Sequence, residues 1–239
     1  MKWFLCLIAF SGFVYAQSPE QLDDSQAINS SNPPLQLTVQ TPVQLSAQTH
    51  SGKARGPEKL KSFLQEIKTV EAKFEQSILN TETAASGRFQ GVFYLSRPDK
   101  FRWDYSEPYE KQILADGDTV HIVDTDLEQI TYVPQSKALQ GTPISVLIGN
   151  SAIEERFEVI DIGDSQGMDW VELIPRDKES QFTRILISFL GEEIRRMEIA
   201  DNFGQITRFQ FFDVKRNPDL DSSLFIFKRR QGFDLIGDL

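Results

Sequence analysis

The sequence predicts an α+β fold in which one strongly curved antiparallel sheet wraps around two or three helices. Three observations carry that prediction. About ten short segments alternate apolar and polar residues with period two. Turn signals such as Asp116-Gly117, Gly191-Glu192 and Asn202-Phe203-Gly204 separate them. The helical crossovers that a parallel sheet needs do not occur between them.

Taken in order, residues 1–16 read as a secretory leader. Lys2 is a short basic start, Trp3 to Val14 is an apolar run, and Val14-Tyr15-Ala16 places small residues for cleavage after Ala16. Cys6 lies within the leader, so the mature chain is expected to lack cysteine and to rest on a packed core. Residues 17–57 are rich in Gln, Ser, Thr and Pro and free of aromatics, the composition of a linker. His50 falls in it, where a lone histidine is more often solvated than a ligand. The folded domain is expected over 58–239.

Gly56-Pro57-Glu58 opens an amphipathic helix whose Leu60, Phe63, Leu64 and Ile67 form a stripe that suits core packing. Near Thr69 the period changes to two, and Val70, Ala72, Phe74, Gln76 and Ile78 share one strand face. A polar turn over Asn80 to Gly87 follows. Strands are then expected over Phe89–Leu95, Phe101–Tyr105, Tyr109–Leu114, Thr119–Asp124 and Gln129–Val133. Residues 136–150 interrupt them. There Thr142 is a plausible N-cap and Pro143 a first helical residue before Ile144, Val146, Leu147 and Ile148. So apolar a helix fits either a cap over a barrel mouth or an ordinary core helix. Strands resume over Arg156–Ile162, Trp170–Ile174, Phe182–Leu190, Glu193–Ile199 and Gln205–Val214, before Asn217-Pro218-Asp219 and a short apolar piece at Leu224–Phe227.

The most informative stretch is Phe89 to Tyr105. Phe89, Phe93 and Leu95 line one face with Gly91 between them, and Arg97 is in phase, so a charge points to the apolar side. After Pro98, Phe101, Trp103 and Tyr105 line one face of the next strand. Two aromatic strands flanking an inward arginine look like the wall of an apolar cavity. A buried guanidinium is costly unless paired, and helix-terminal carbonyls on a lid would pair it. Alternatively Arg97 sits at a rim and snorkels to water.

Composition narrows the function. With 35 acidic residues against 25 basic ones and a net charge of -10, the chain is a poor partner for nucleic acid or an anionic membrane surface. His121 is the one histidine of the folded region, no GxSxG elbow or phosphate-cradling glycine loop occurs, and Asp116-Gly117-Asp118 lacks the rest of a calcium loop. Binding, not catalysis, is the expected role, with no cofactor or metal. The 18 Phe exceed what a core of this size needs.

The run Phe74-x-Gln76, Gly87, Gly91, Arg97-Pro98-x-x-Phe101-Arg102-Trp103 and Pro108 resembles the LolA family of outer-membrane lipoprotein carriers. So do Asp116-Gly117, Asp124-x-Asp126-Leu127-x-Gln129, Thr142-Pro143, Phe225-x-Phe227 and Gly232-x-Asp234-x-Ile236. The resemblance implies an incomplete antiparallel barrel around an apolar cavity, closed by a helical lid. It implies a monomeric periplasmic chaperone that carries acylated lipoproteins from an inner-membrane ABC transporter to an outer-membrane acceptor lipoprotein. Arg97 falls at the family's lid-gating arginine and Phe101 at a phenylalanine that accepts and passes on cargo. With them, Phe74, Phe89, Phe93, Leu95, Trp103, Tyr105, Ile144, Leu147 and Ile148 are the expected acyl-chain contacts. Where the family usually has Trp and Tyr, this chain has His121 and Val123, which would alter the cavity lining. The runner-up is a carrier of another lipid or glycolipid with a dedicated exporter. A lipase would need a nucleophile elbow, and a stress sensor a transmembrane segment or second domain.

Overall fold

The computed structural model describes residues 55–80, 86–139, 142–148 and 153–237; the leader, the linker up to 54, His50 and the turn at 81–85 lie outside them. Helix α1 (Arg55–Glu66) precedes six strands: β1 (Thr69–Asn80), β2 (Ser86–Ser96), β3 (Lys100–Glu107), β4 (Lys111–Ala115), β5 (Thr119–Asp124) and β6 (Gln129–Pro134). Three short helices follow, α2 (Gln135–Ala138), α3 (Ile144–Ile148) and α4 (Ile153–Arg156). Then come β7 (Phe157–Ser165), β8 (Met168–Pro175), β9 (Phe182–Leu190), β10 (Glu193–Asp201) and β11 (Gln205–Arg216). A 3-10 turn (Ser222–Phe225) and β12 (Asp234–Gly237) complete the chain.

All twelve strands form one sheet in the linear order β12-β6-β5-β4-β3-β2-β1-β11-β10-β9-β8-β7. Laid flat, such a sheet would be roughly 50 Å wide. Yet Phe74 and Trp103 from one half and Val171, Ile187 and Met197 from the other belong to a single buried cluster. The sheet must therefore curl, and irregular registers at Glu71/Lys73, Gln90/Gly91 and Asp161/Gly163 supply local twist. β7 and β12 remain unpaired edges, so the barrel is incomplete.

The meander agrees with the alternation, with one correction. β12 pairs with β6 in parallel, Asp234 against Gln129 through Gly237 against Tyr132. The crossover is the tail after β11, which straps the convex face. Arg102 Nη1 donates to Leu224 O at 3.2 Å, and the His121 ring stacks on Phe227 at 4.0 Å. This corrects the expectation about His121 and Val123. Their neighbours Val120 and Ile122 face the interior cluster, so by alternation His121 and Val123 belong to the convex side under the tail. They do not line the interior.

Two further contacts set α1 in place. Its Gly56 lies against β8, where a Cβ would come within 2.3 Å of Trp170 O, and Lys59 pairs with the buried Asp169 at 2.6 Å. At its other end Asn217, with φ of 52°, accepts from Lys68 N at 2.7 Å and Thr69 N at 3.3 Å and donates to Glu66 O at 3.2 Å. One side chain thus closes the α1–β1 corner against the end of β11, in a backbone region that favours Asn. Asn217→Ala is expected to cost about 2 kcal/mol, read as a fall in thermal midpoint of about 6 °C. Asn217→Gly keeps the backbone geometry and separates its share from that of the hydrogen bonds.

Candidate functional site

The concave face of the central strands is aromatic because alternation puts it there. The pairs Leu95–Phe101, Phe93–Trp103 and Gly91–Tyr105 stand opposite each other on β2 and β3. Phe74 on β1 meets Trp103 edge-on at 5.4 Å and Tyr105 at 5.1 Å, and Phe93 lies 4.3 Å from Trp103. Phe89 extends the row to Tyr105 at 6.2 Å. Leu95 and Phe101 have no solvent exposure at all. Over this face Ile144, Val146, Leu147 and Ile148 of α3 are all buried in the same cluster. Of the two readings of that helix, an apolar cover over the concave face fits its placement. Thr142 does not cap it as expected; its hydroxyl donates to Leu139 O at 2.9 Å.

Reading by residue type missed three contributors. Phe209 and Phe211 of β11 close the aromatic cluster from the other half of the sheet, at 5.1 Å from Trp103 and 6.1 Å from Phe93. Their alternation in Phe209-Gln210-Phe211 was the available signal. Phe63 of α1 was read only as a core residue, and its backbone is what matters more.

Arg97 settles between its two readings by what it holds. Its Nη1 donates to the carbonyl oxygens of Phe63 at 2.9 Å, Leu64 at 3.0 Å and Ile67 at 2.7 Å, and its Nη2 donates to Leu147 O. Three acceptors share the two protons of Nη1, while Nε is left without a partner. A helix leaves its last carbonyls short of partners, although Phe63 O also accepts from Ile67 N at 3.4 Å, and the end of α1 carries the negative end of its dipole. The guanidinium also lies 5.2 Å from the Phe63 ring centroid. One side chain just past the end of β2 thus ties the end of α1 and the end of α3 together across the concave face. The turn that carries it is fixed by buried Gln135, whose amide donates to Asp99 O at 2.6 Å and accepts from Gly117 N at 3.1 Å.

Burial pushes the Arg97 pKa down from its ordinary value to about 10. A cation with a depressed folded pKa destabilises the fold at every pH below that value, and the penalty fades only as pH rises from about 10. Across pH 6–8 the side chain is therefore fully charged. Hydrogen exchange at α1 and α3 should be constant over that range once corrected for intrinsic rates; a marked change near pH 7 would exclude Arg97 as the titrating group.

Polar groups on the concave face are few. Tyr105 donates its hydroxyl to Gln76 Oε1 at 2.8 Å, and burial raises the phenol's pKa. Among the described residues no three His, Cys, Asp or Glu side chains gather where a metal ion would bind.

Comparison with known proteins identifies the family. The family described as outer membrane lipoprotein carrier protein LolA matches residues 65–228. A protein of Methylobacillus flagellatus named outer-membrane lipoprotein carrier protein is 36% identical over 202 residues, covering 84% of this chain and 98% of its own length. One of the same name from Methylococcus capsulatus is 40% identical over 180 residues, covering 75% and 86%. Among solved structures, a LolA superfamily protein from Nitrosomonas europaea is similar at a TM-score of 0.42 and 11% identity, covering 71% of this chain and 95% of that one. With a curled, unclosed sheet, helices over its concave face and more than half of its length matched, this chain belongs to the outer-membrane lipoprotein carrier family.

Proposed function

We propose that the protein is a periplasmic chaperone for acylated lipoproteins. It takes them from an inner-membrane ABC transporter and delivers them to an outer-membrane acceptor lipoprotein, sheltering their acyl chains against the concave aromatic face. It works as a monomer, without cofactor and without catalysing a reaction. The Arg97 clasp is the observation that carries this reading. Packing alone would hold α1 and α3 on an apolar face more cheaply than a half-buried charge does. A clasp made of directional bonds to backbone oxygens can let go as a unit, and α1 and α3 then uncover Phe101, Leu95, Phe93 and Trp103 together.

The energetics suit a shuttle. Each acyl methylene removed from water contributes roughly 0.8 kcal/mol. Ten of them supply about 8 kcal/mol before costs, so such a contact binds no more tightly than about micromolar and cargo can still leave. A net charge of -10 keeps the carrier from adhering to anionic headgroups on either membrane.

Depleting the protein in its own organism tests the reading. Outer-membrane lipoproteins should accumulate in the inner membrane, and their normal distribution would overturn it. Native mass spectrometry of the protein from its periplasm identifies the cargo: lipoprotein-sized adducts are expected, and free lipid masses would point to the other class of cargo.

A further inference from the structure

We infer that Trp103 Nε1 and Thr207 Oγ1 form a polar seat for the acyl carbonyls of the cargo, the ester groups that join its fatty chains to glycerol. This rests on the carrier reading above and specifies how the cargo's neutral polar atoms are recognised inside an apolar interior.

The observation is a pair of buried polar atoms with nothing to bond. Trp103 is 5% exposed and Thr207 is 1% exposed, yet neither Trp103 Nε1 nor Thr207 Oγ1 has a hydrogen-bond partner. Buried donors are rarely left unpaired, and those that are call for an explanation. The two belong to one stretch of the concave face. Trp103 packs on Phe209 at 5.1 Å, and Phe209 is two residues from Thr207 on the same face of β11. Thr207 stands between Ile199 on β10 and Ile78 on β1. Gln205, two residues further along that face, leaves its buried Nε2 unpartnered as well. By contrast the nearby Tyr105 and Gln76 bond each other at 2.8 Å.

The chemistry of these atoms selects the ligand. An indole N–H and an amide NH2 only donate, and a hydroxyl has a proton to give. An ester or amide carbonyl only accepts, so it answers them; a methylene chain answers none. A phosphate or carboxylate would also accept, but it would bring a charge into an apolar site: Arg97 is committed to helix carbonyls, and the buried Lys111, opposite Tyr105, interacts with Asp124. The carbonyls would sit at Trp103 and Thr207, with the chains running on over Phe74, Phe93 and Phe101.

The test compares a synthetic peptide bearing a dipalmitoylglyceryl cysteine with its dialkyl ether analogue, in which methylenes replace both carbonyls. The wild-type protein is expected to bind the ester about tenfold more tightly. Thr207→Val keeps shape while removing the donor, and should reduce that preference severalfold with ether affinity unchanged. Trp103→Phe removes the other donor together with part of the apolar wall, so it should weaken both peptides and is read by the ester-to-ether ratio alone, which should also fall severalfold. Because its hydroxyl is unpaired without cargo, Thr207→Val should also melt no lower than wild type. Equal affinity of wild type for the two peptides overturns the seat and leaves the carrier reading standing, as does a preference that survives both substitutions. A lower melting point for Thr207→Val overturns it too, since the hydroxyl would then have a partner. Binding of neither peptide overturns the carrier reading itself.

Discussion

Arg97→Leu is expected to bind acylated cargo on the order of 100-fold more tightly than wild type and to fail in passing it on. On the proposed carrier reading the clasp stabilises the closed, empty state, so its free energy is subtracted from the affinity for any ligand that needs the open state. Four hydrogen bonds from a charged donor, less the cost of burying it, leave about 3 kcal/mol, which corresponds to that factor. The substitution should not unfold the protein. Leu in this apolar position removes a half-buried charge whose Nε is itself unpartnered, so the loss falls on the closing of α1 and α3 and not on the packed sheet. The freed carbonyls at the end of α1 can turn to water once the helix lifts. Arg97→Lys should fall between the two, because an ammonium is a point charge and cannot span carbonyls on two helices as a planar fork does. Titration with an acylated peptide and transfer to the acceptor protein read both effects. Wild-type affinity with normal transfer in Arg97→Leu would sink the clasp as the element that limits binding.

Much of this site was legible because strand alternation is a simple code. Phe93, Leu95 and Trp103 fall where period two puts them, and Arg97 betrays itself by being in phase with them. Its acceptors were not legible. They are backbone oxygens of Phe63, Leu64, Ile67 and Leu147, and a carbonyl leaves no mark in residue type. The stripe Leu60-Phe63-Ile67 packs as it reads, yet what α1 offers Arg97 is the backbone where it ends. β12 was missed for a different reason. Asp234-Leu235-Ile236-Gly237 is four exposed residues with no alternation, and what makes it a strand is the tail's return to the edge of β6. His121 and Val123 show the converse limit. A match to a family motif says that positions differ, but only the face they belong to decides whether the interior notices.

Gly91→Ala is expected to be the most damaging single methyl on the central strands, at about 4 kcal/mol and a fall in thermal midpoint on the order of 10 °C. A Cβ at Gly91 would lie 1.9 Å from Asp104 O and 2.9 Å from Phe74 Cε1. The ring of Phe74 can move, but Asp104 O belongs to the neighbouring strand and cannot retreat without parting β2 from β3. That happens beside the irregular register at Gln90/Gly91, where the ladder is already interrupted. Gly87→Ala is the control, because its Cβ would meet only the far end of the Phe89 ring at 3.0 Å, and it should cost under about 1 kcal/mol. The damage should also reach binding. Gly91 stands opposite Tyr105, and Phe74 contacts both Tyr105 and Trp103, so the shift that admits a methyl displaces the aromatic row itself. Thermal melts and acyl-peptide titrations of the two variants separate these effects. If Gly91→Ala melts within 2 °C of Gly87→Ala, the close approach of β2 and β3 at this point is not a constraint on the fold.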